Sequence, residues 1–285
     1  MRILLVIATI LLFTTAFSQM SDSTHKADTL ALGRVMLIKK NRYTDSSDHS
    51  ITIKKDYFFI WDKRKKKQSI ISTKWWMMDL GFANFRDNTN YTSAQSMGYC
   101  KTVNGVPISA NSFGLNTGKS ANLNIWFFMQ KMNLSKHVLN LKYGMGLEMY
   151  NFRYDHSLSY RNNPAPIVFN DTIGFKKNKL YLGYLTVPMM LNLNATPHRK
   201  NGCMVSAGIS AGYLLGAHDK EMSAERGKQK YHGDLGLQPW RLAGISELGL
   251  GPVRLYGSYS LNALHKASTG LDQFPYVVGI RFSKW

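Results

Sequence analysis

From Trp75 onward the chain alternates apolar and polar positions with a period of two, in segments separated by polar stretches of unequal length. The clearest segment is Val138–Tyr150, where Leu139, Leu141, Tyr143, Met145, Leu147 and Met149 share one face of an extended strand. Asn140, Lys142, Gly144, Gly146, Glu148 and Tyr150 share the other. Successive side chains of a strand point to opposite sides, so one face here is apolar and the other polar or glycine. The apolar face is longer than the ~5–6 residues of an ordinary globular strand. It matches the ~9–11 residues of a tilted strand that crosses a bilayer.

The same pattern predicts seven further strands. The first carries Trp76, Met78, Leu80 and Phe82 outward against Asp79, Gly81 and Ala83. The second, Ser120 to Met132, sets Leu123, Ile125, Phe127 and Met129 against Asn122, Asn124, Trp126, Phe128 and Gln130, with less cleanly separated faces. After Val138–Tyr150 comes the fourth, Leu180 to Asn194, in which Pro188 lacks a ladder donor and predicts a bulge or broken pairing. The fifth sets Val205, Ala207, Ile209, Ala211, Tyr213 and Leu215 against Met204, Ser206, Gly208, Ser210, Gly212 and Leu214. Trp240–Leu250, Val253–Asn262 and a last strand with Tyr276, Val278, Ile280 and Phe282 outward complete the set. The connections read long, short, long, short, long, short, long, with long polar stretches at about 86–118, 152–178, 218–237 and 263–274. Short turns at one end and long loops at the other describe an all-β chain folded as an eight-stranded antiparallel transmembrane β-barrel. Residues 75–285 form the barrel in this reading, with both barrel ends on the short-turn, periplasmic side.

The N-terminus reads Met-Arg, an apolar run from Ile3 to Phe17, and Ala16-Phe17-Ser18 before Gln19. This is the pattern of a secretory signal peptide over residues 1–18, the alternative being a retained anchor. Residues 19–74 are then a periplasmic extension. Val35–Ile38, Ile51–Ile53 and Tyr57–Trp61 supply a small hairpin there, and Lys63-Arg64-Lys65-Lys66-Lys67 is either a solvated basic linker or a patch for an anionic partner. The net charge of +19 invites a nucleic-acid reading. Secretion and the lack of a base-reading motif argue against that, and anionic lipid headgroups explain the sign equally well. The topology sets Cys100 in an outer loop and Cys203 near a periplasmic turn, too far apart for a disulfide.

By this register Asp79, Lys142, Glu148, Arg241, Glu247, Arg254 and Arg281 face inward. Charges in a low-dielectric interior must pair, so these residues form a candidate ion-pair network that fills the lumen. Eight strands enclose a space just wide enough for side chains. His156-Ser157, His265 with Ser268, and His218 beside Asp219 all fall in predicted loops, and no histidine pair has close ligand spacing. The chain is therefore read as non-enzymatic, without cofactor or metal. Its expected partners are outer-membrane lipid and lipopolysaccharide, the barrel assembly machinery during insertion, and envelope or secretion proteins. A narrow solute channel or a lipid-modifying enzyme is the alternative.

With the strands placed, Lys119-Ser120, Gly144-Met145-Gly146-Leu147-Glu148, Asn178-Lys179-Leu180, Tyr184-Leu185-Thr186-Val187-Pro188, Ala207-Gly208 and Tyr259-Ser260-Leu261 together resemble the PorT-like family of outer-membrane β-barrel proteins of Gram-negative bacteria. The resemblance runs from about Trp75 to the end. It implies a signal peptide, an eight-stranded barrel, outer-membrane residence and a proline in the fourth strand. It implies no activity, although some relatives take part in protein secretion. Barrels of this kind usually end on an outward aromatic; Trp285 supplies one, but three residues after Phe282 and so out of phase.

Overall fold

The computed structural model describes Thr29–Leu32, Val35–Arg42, Lys54–Trp61 and residues 69–282 apart from 104, 163, 197–201 and 251–252. The expected signal peptide, the Lys63–Lys67 run and Trp285 lie outside the described residues. The chain divides into two units, Met1–Gln68 and Ser69–Trp285. In the first, β1 (Thr29–Leu32), β2 (Val35–Arg42) and β3 (Lys54–Trp61) form a three-stranded antiparallel sheet in chain order. No helix among the described residues is long and apolar enough to cross a membrane, which says nothing of a β-barrel.

The second unit is built on nine antiparallel strands, eight of which close into a ring. These are β4 (Ile71–Asp87), β6 (Ala121–Ser135), β7 (Leu139–Tyr154), β10 (Phe175–Asn194), β11 (Cys203–Ser223), β13 (Trp240–Leu250), β14 (Val253–Ser260) and β15 (Gln273–Phe282). Each pairs with the next in that order, and β15 pairs with β4 to close the circuit. The ring's strands coincide with the eight expected from alternation, most being longer at the long-loop end. Along β7 every second residue from Asn140 to Tyr154 is buried and the intervening apolar ones are more exposed. A strand with two environments keeps its register, because a one-residue slip would exchange its two faces.

Four irregularities interrupt the strands, and two of them exchange the expected faces. Trp76 has φ of 54°, and a bulge in β6 falls between Trp126 and Phe128. Beyond it the faces exchange: Met129, read from the sequence as outward, is wholly buried inside, and Phe128 and Gln130 are only part-buried. Opposite on β7, Gly144 and Met145 have no ladder partners at Val187 and Pro188 of β10. Proline carries no N–H to give, so the expected defect is a gap in the ladder on the β7 side, while Pro188 still pairs with Ser210 on the other. A bulge at Leu215 of β11 again exchanges faces, turning Asp219, Glu221 and Ser223 inward.

The expected long loops are largely ordered. β11 runs on into a hairpin with β12 (Gly227–His232), and β5 (Cys100–Lys101), β8 (Leu158–Asn162) and β9 (Pro166–Asn170) make a small sheet. A short helix, α1 (Tyr91–Ser96), is capped by Asn90 accepting from Ser93 N. These elements bury Tyr99, Ile108, Phe113, Leu158, Tyr160 and Leu235 against Tyr150, Phe152, Tyr154, Leu180 and Tyr184 of the ring strands, forming an aromatic cap over its long-loop end. Cys100 is buried in the cap, Cys203 is exposed at the start of β11, and both are free thiols.

The ring leaves space for Tyr256 by placing Gly81 opposite Gly279. A Cβ at Gly279 would lie 2.5 Å from Gly81 Cα and from Tyr256 Cε1, whereas one at Gly244 meets nothing within 4 Å. Gly279→Leu is therefore expected to cost about 1–3 kcal/mol or more, and Gly244→Ala close to nothing. Urea midpoints followed by tryptophan fluorescence in detergent compare the two, and equal midpoints would refute the packing described.

Candidate functional site: the charged interior

Two environments follow from the alternation. The outward positions of the ring are apolar and open: Leu80, Phe82, Leu191, Ile209, Leu242 and Val278 are each exposed by 48 % or more. The inward positions are polar and closed. Asp79, Lys142, Glu148, Arg241, Glu247, Arg254 and Arg281 are all buried, none exposed by more than 6 %. An isolated ion in such a place is strongly destabilising, and only paired, hydrogen-bonded charges are tolerated.

The seven sort into a group of five and a pair. Arg281 forks onto Asp79, Nε to Oδ1 at 2.7 Å and one terminal nitrogen to Oδ2 at 2.8 Å, and its other terminal nitrogen donates to Glu247 at 2.9 Å. Glu247 also accepts from Lys142 Nζ and from Arg254, each at 3.1 Å. One carboxylate on β13 thus gathers cations from β7, β14 and β15. Asp79 accepts a further bond from Trp126 Nε1 at 2.7 Å. Separately, Arg241 of β13 donates to Glu148 of β7 at 2.7 Å and to Ser258 and Ser260 at 2.8 and 3.0 Å, with its guanidinium 5.2 Å from the Tyr150 ring centre. Bidentate and charge-assisted bonds of this kind are the strong ones.

β7 and β13 are not neighbours in the ring, so Lys142–Glu247 and Glu148–Arg241 are bonds across the interior. Met77, Trp126, Met129 and Met190, with Ile245 packed on them, form an apolar cluster inside. A cavity of ≈ 10 Å³ remains beside Trp126, Glu148 and Arg281, room for about one water. Asn140, Asn192 and Ser206 extend the polar filling toward the short-turn end.

Sequence reasoning missed part of this interior. Met129 was hidden by the β6 bulge. Asp219 and Glu221 fall within the expected loop at about 218–237; the bulge at Leu215 brings both inward, where Asp219 accepts from Tyr160 N at 3.2 Å and Glu221 binds Arg161 twice, at 2.7 and 3.1 Å. Arg161 also lies 3.7 Å over the Tyr231 ring, tying β8 to the β11–β12 hairpin. The bulges do leave a trace in the sequence: Trp75-Trp76, Phe127-Phe128 and Leu214-Leu215 are apolar doublets where strict alternation allows none.

The histidines of the predicted loops are dispersed. The backbone carbonyl of His156 accepts from Asn178, and the ring of His218 stacks on Tyr181 with centres 4.8 Å apart. His265 is wholly buried in the cap between Tyr99 and Tyr160, ring centres 6.0 and 6.3 Å away, and neither nitrogen has a hydrogen-bond partner among the described residues. Burial pushes its pKa down to about 3. Beside the cap lies a cavity of ≈ 510 Å³ lined by Tyr99, Lys101, Pro166, Asp234, Lys266 and neighbours. The Lys266–Asp234 pair, at 2.6 Å, holds the Asp234 carboxyl below its usual range.

No protein-family model matches the chain, and no curated protein matches it.

Two outcomes follow from this geometry. Glu247→Leu removes the acceptor shared by Lys142, Arg254 and Arg281, and a broken buried network of this kind costs about 3–5 kcal/mol; a denaturation midpoint shifted by less than about 1 kcal/mol would contradict the shared role. His265 binds a proton more weakly when folded, so the unfolded chain takes up more protons between pH 6.5 and about 3. The stability it permits is complete above pH 6.5 and declines as pH falls through that window. Protection factors of cap amides, taken as exchange relative to the intrinsic rate at each pH, should fall from pH 7 to pH 5, and His265→Phe should flatten that dependence.

Proposed function

We propose that the chain is an outer-membrane β-barrel of the PorT-like kind, without enzymatic activity. Its lumen is filled, and its loop cap serves as a scaffold or binding surface on the outside of the cell, with a part in secretion or envelope assembly. The observation that carries this reading is the inversion of polarity around the closed ring. Charged side chains occupy the interior, while a belt of leucine, isoleucine, valine and phenylalanine is exposed on the outer wall. In water such a belt is strongly unfavourable, and hydrocarbon is the solvent that suits it. On β7 the belt runs from Leu139 to Met149; at ~3.4 Å per residue and a tilt of ~40° it rises about 25 Å, the height of the apolar band of such barrels. Trp75, Trp76 and Phe282 at one margin and Trp240 with Tyr213 at the other are exposed aromatics of the kind that sit at membrane interfaces.

The filled interior favours a closed barrel over the solute channel. A space of ≈ 10 Å³ passes no solute. For the lipid-modifying alternative His156, His218 and His265 provide no support, since they lie apart in the fold and His218 and His265 are stacked on tyrosines. The cavity beside Lys101 and Lys266 is the place where the cap could receive a partner.

The test labels single cysteines in native membranes with a water-borne maleimide, in a Cys203→Ser background. Ile209→Cys on the belt should stay unmodified, and Lys101→Cys on the cap should react. The folded protein should also run faster on gels before boiling than after. Ready modification at Ile209→Cys, with unchanged migration and recovery in the aqueous fraction, would overturn the membrane reading.

A further inference from the structure

Six of the chain's 36 lysines and arginines are gathered in one place. Arg153 of β7, Lys179 of β10, Lys220 of β11 and Lys230 of β12 are consecutive cross-strand partners. All four lie on the outer face, since Asn178 and Leu180 of β10 and Asp219 and Glu221 of β11 are the buried positions. Four cations therefore stand side by side across about 14 Å, at ~4.8 Å per strand. The next row, toward the tip of the hairpin, adds Lys177 and Lys228 on either side of Met222. Like charges directly opposite one another on a sheet are destabilising.

Among the described residues none of the four makes an ion pair, and the Arg153 guanidinium donates only to the Lys176 carbonyl. The carboxylates of the same strands, Asp219 and Glu221, point inward to Tyr160 N and Arg161, and Glu225 lies in the turn past the rows. Lys179 donates to the neutral Asn151 amide oxygen at 2.6 Å. In the row below, Tyr181, His218 and His232 make a shelf of rings with centres 4.8 and 5.2 Å apart. Below the shelf the apolar belt begins at Met149 and Leu185.

We infer that this row is a binding site for the phosphates of a lipid headgroup in the outer leaflet, specifically a glycolipid that carries two or more phosphates, as lipid A does. The inference rests on the membrane reading above, which puts the acyl chains against the belt and the headgroup at the level of the cations. A repulsive cation row becomes favourable once multivalent anions bridge it, and four cations on neighbouring strands match a headgroup with separated phosphates better than a single charge. The aromatic shelf supports the sugar between phosphate and chain.

The experiment uses the full-length protein in neutral detergent with bisphosphorylated lipid A, dephosphorylated lipid A and inorganic polyphosphate as probes, followed by native mass spectrometry and thermal unfolding. Wild type should bind the bisphosphorylated form at least tenfold more tightly than the dephosphorylated one. Lys179→Gln/Lys220→Gln/Lys230→Gln should lose at least tenfold in that affinity. The lipid-free triple variant should be as stable as wild type or more so, because repulsion is relieved; a mere folding defect would lower it. Lys74→Gln/Lys136→Gln, at the short-turn end of the ring, should bind as wild type. Equal affinity for the two lipids, equal loss in both variants, or a preference for polyphosphate over lipid A would each overturn the inference. If these results come from protein that is heat-modifiable on gels, only the headgroup site falls; if heat-modifiability is also missing, the membrane reading falls with it.

Discussion

Everything in the second unit depends on the pairing of charges that the ring encloses. Glu247 holds cations from three other strands, and Glu148 and Arg241 reach each other from strands that are not neighbours. Such bonds cross the interior and fix the far walls relative to one another, which backbone ladders between adjacent strands cannot do. They also enforce register, since a one-residue slip in β7 would carry Lys142 and Glu148 to the apolar outer face, take one of three cations from Glu247 and leave Arg241 without its carboxylate. The interior is polar for the same reason that the exterior is not: closing the ring leaves a space that side chains can fill, and paired charges fill it as well as leucines do.

The irregular backbone lets this filling fit. Trp76, Phe127, the Gly144–Met145 step and Pro188 lie on four successive strands of the ring, and each marks a missing or displaced ladder bond. Behind this line sit Met77, Trp126, Met129 and Met190. A bulge bends its strand and increases local twist, which helps a sheet to curve onto itself. The β6 backbone and the Trp126 indole together take the room that a side chain at Gly146 would need, because a Cβ there would fall 2.5 Å from Ile125 O, 2.7 Å from Trp126 Cα and 2.8 Å from the indole. The bulge at Leu215 does the corresponding work at the long-loop end, aiming Asp219 and Glu221 at the cap and Lys220 away from it.

Charge is partitioned accordingly. The seven interior ions nearly balance, so most of the net +19 lies elsewhere. Part of that surplus forms the outward cation rows of β7, β10, β11 and β12, just past the apolar belt, while the cap above the interior is aromatic and buried. Under the proposed reading the molecule presents hydrocarbon with aliphatic side chains, headgroups with lysine and arginine, and the outside medium with a compact cap.

The sequence alone determined the eight strands of the ring, their order and which face of most of them is closed, because a period of two is a local property that survives any tertiary arrangement. It also located the seven interior ions, since inward position follows from phase. It did not determine their partners: whether Arg281 meets Asp79, Glu247 or both depends on ring closure between residues some two hundred positions apart. Nor did it reveal where the phase changes, though three apolar doublets hinted at it, because a bulge is decided by neighbouring strands. The cap stayed illegible because its polar sequence resembles solvated loop. Only the folded chain, by stacking Tyr99, Phe113, Tyr154 and Tyr160 over the end of the ring, gives those segments an interior to bury.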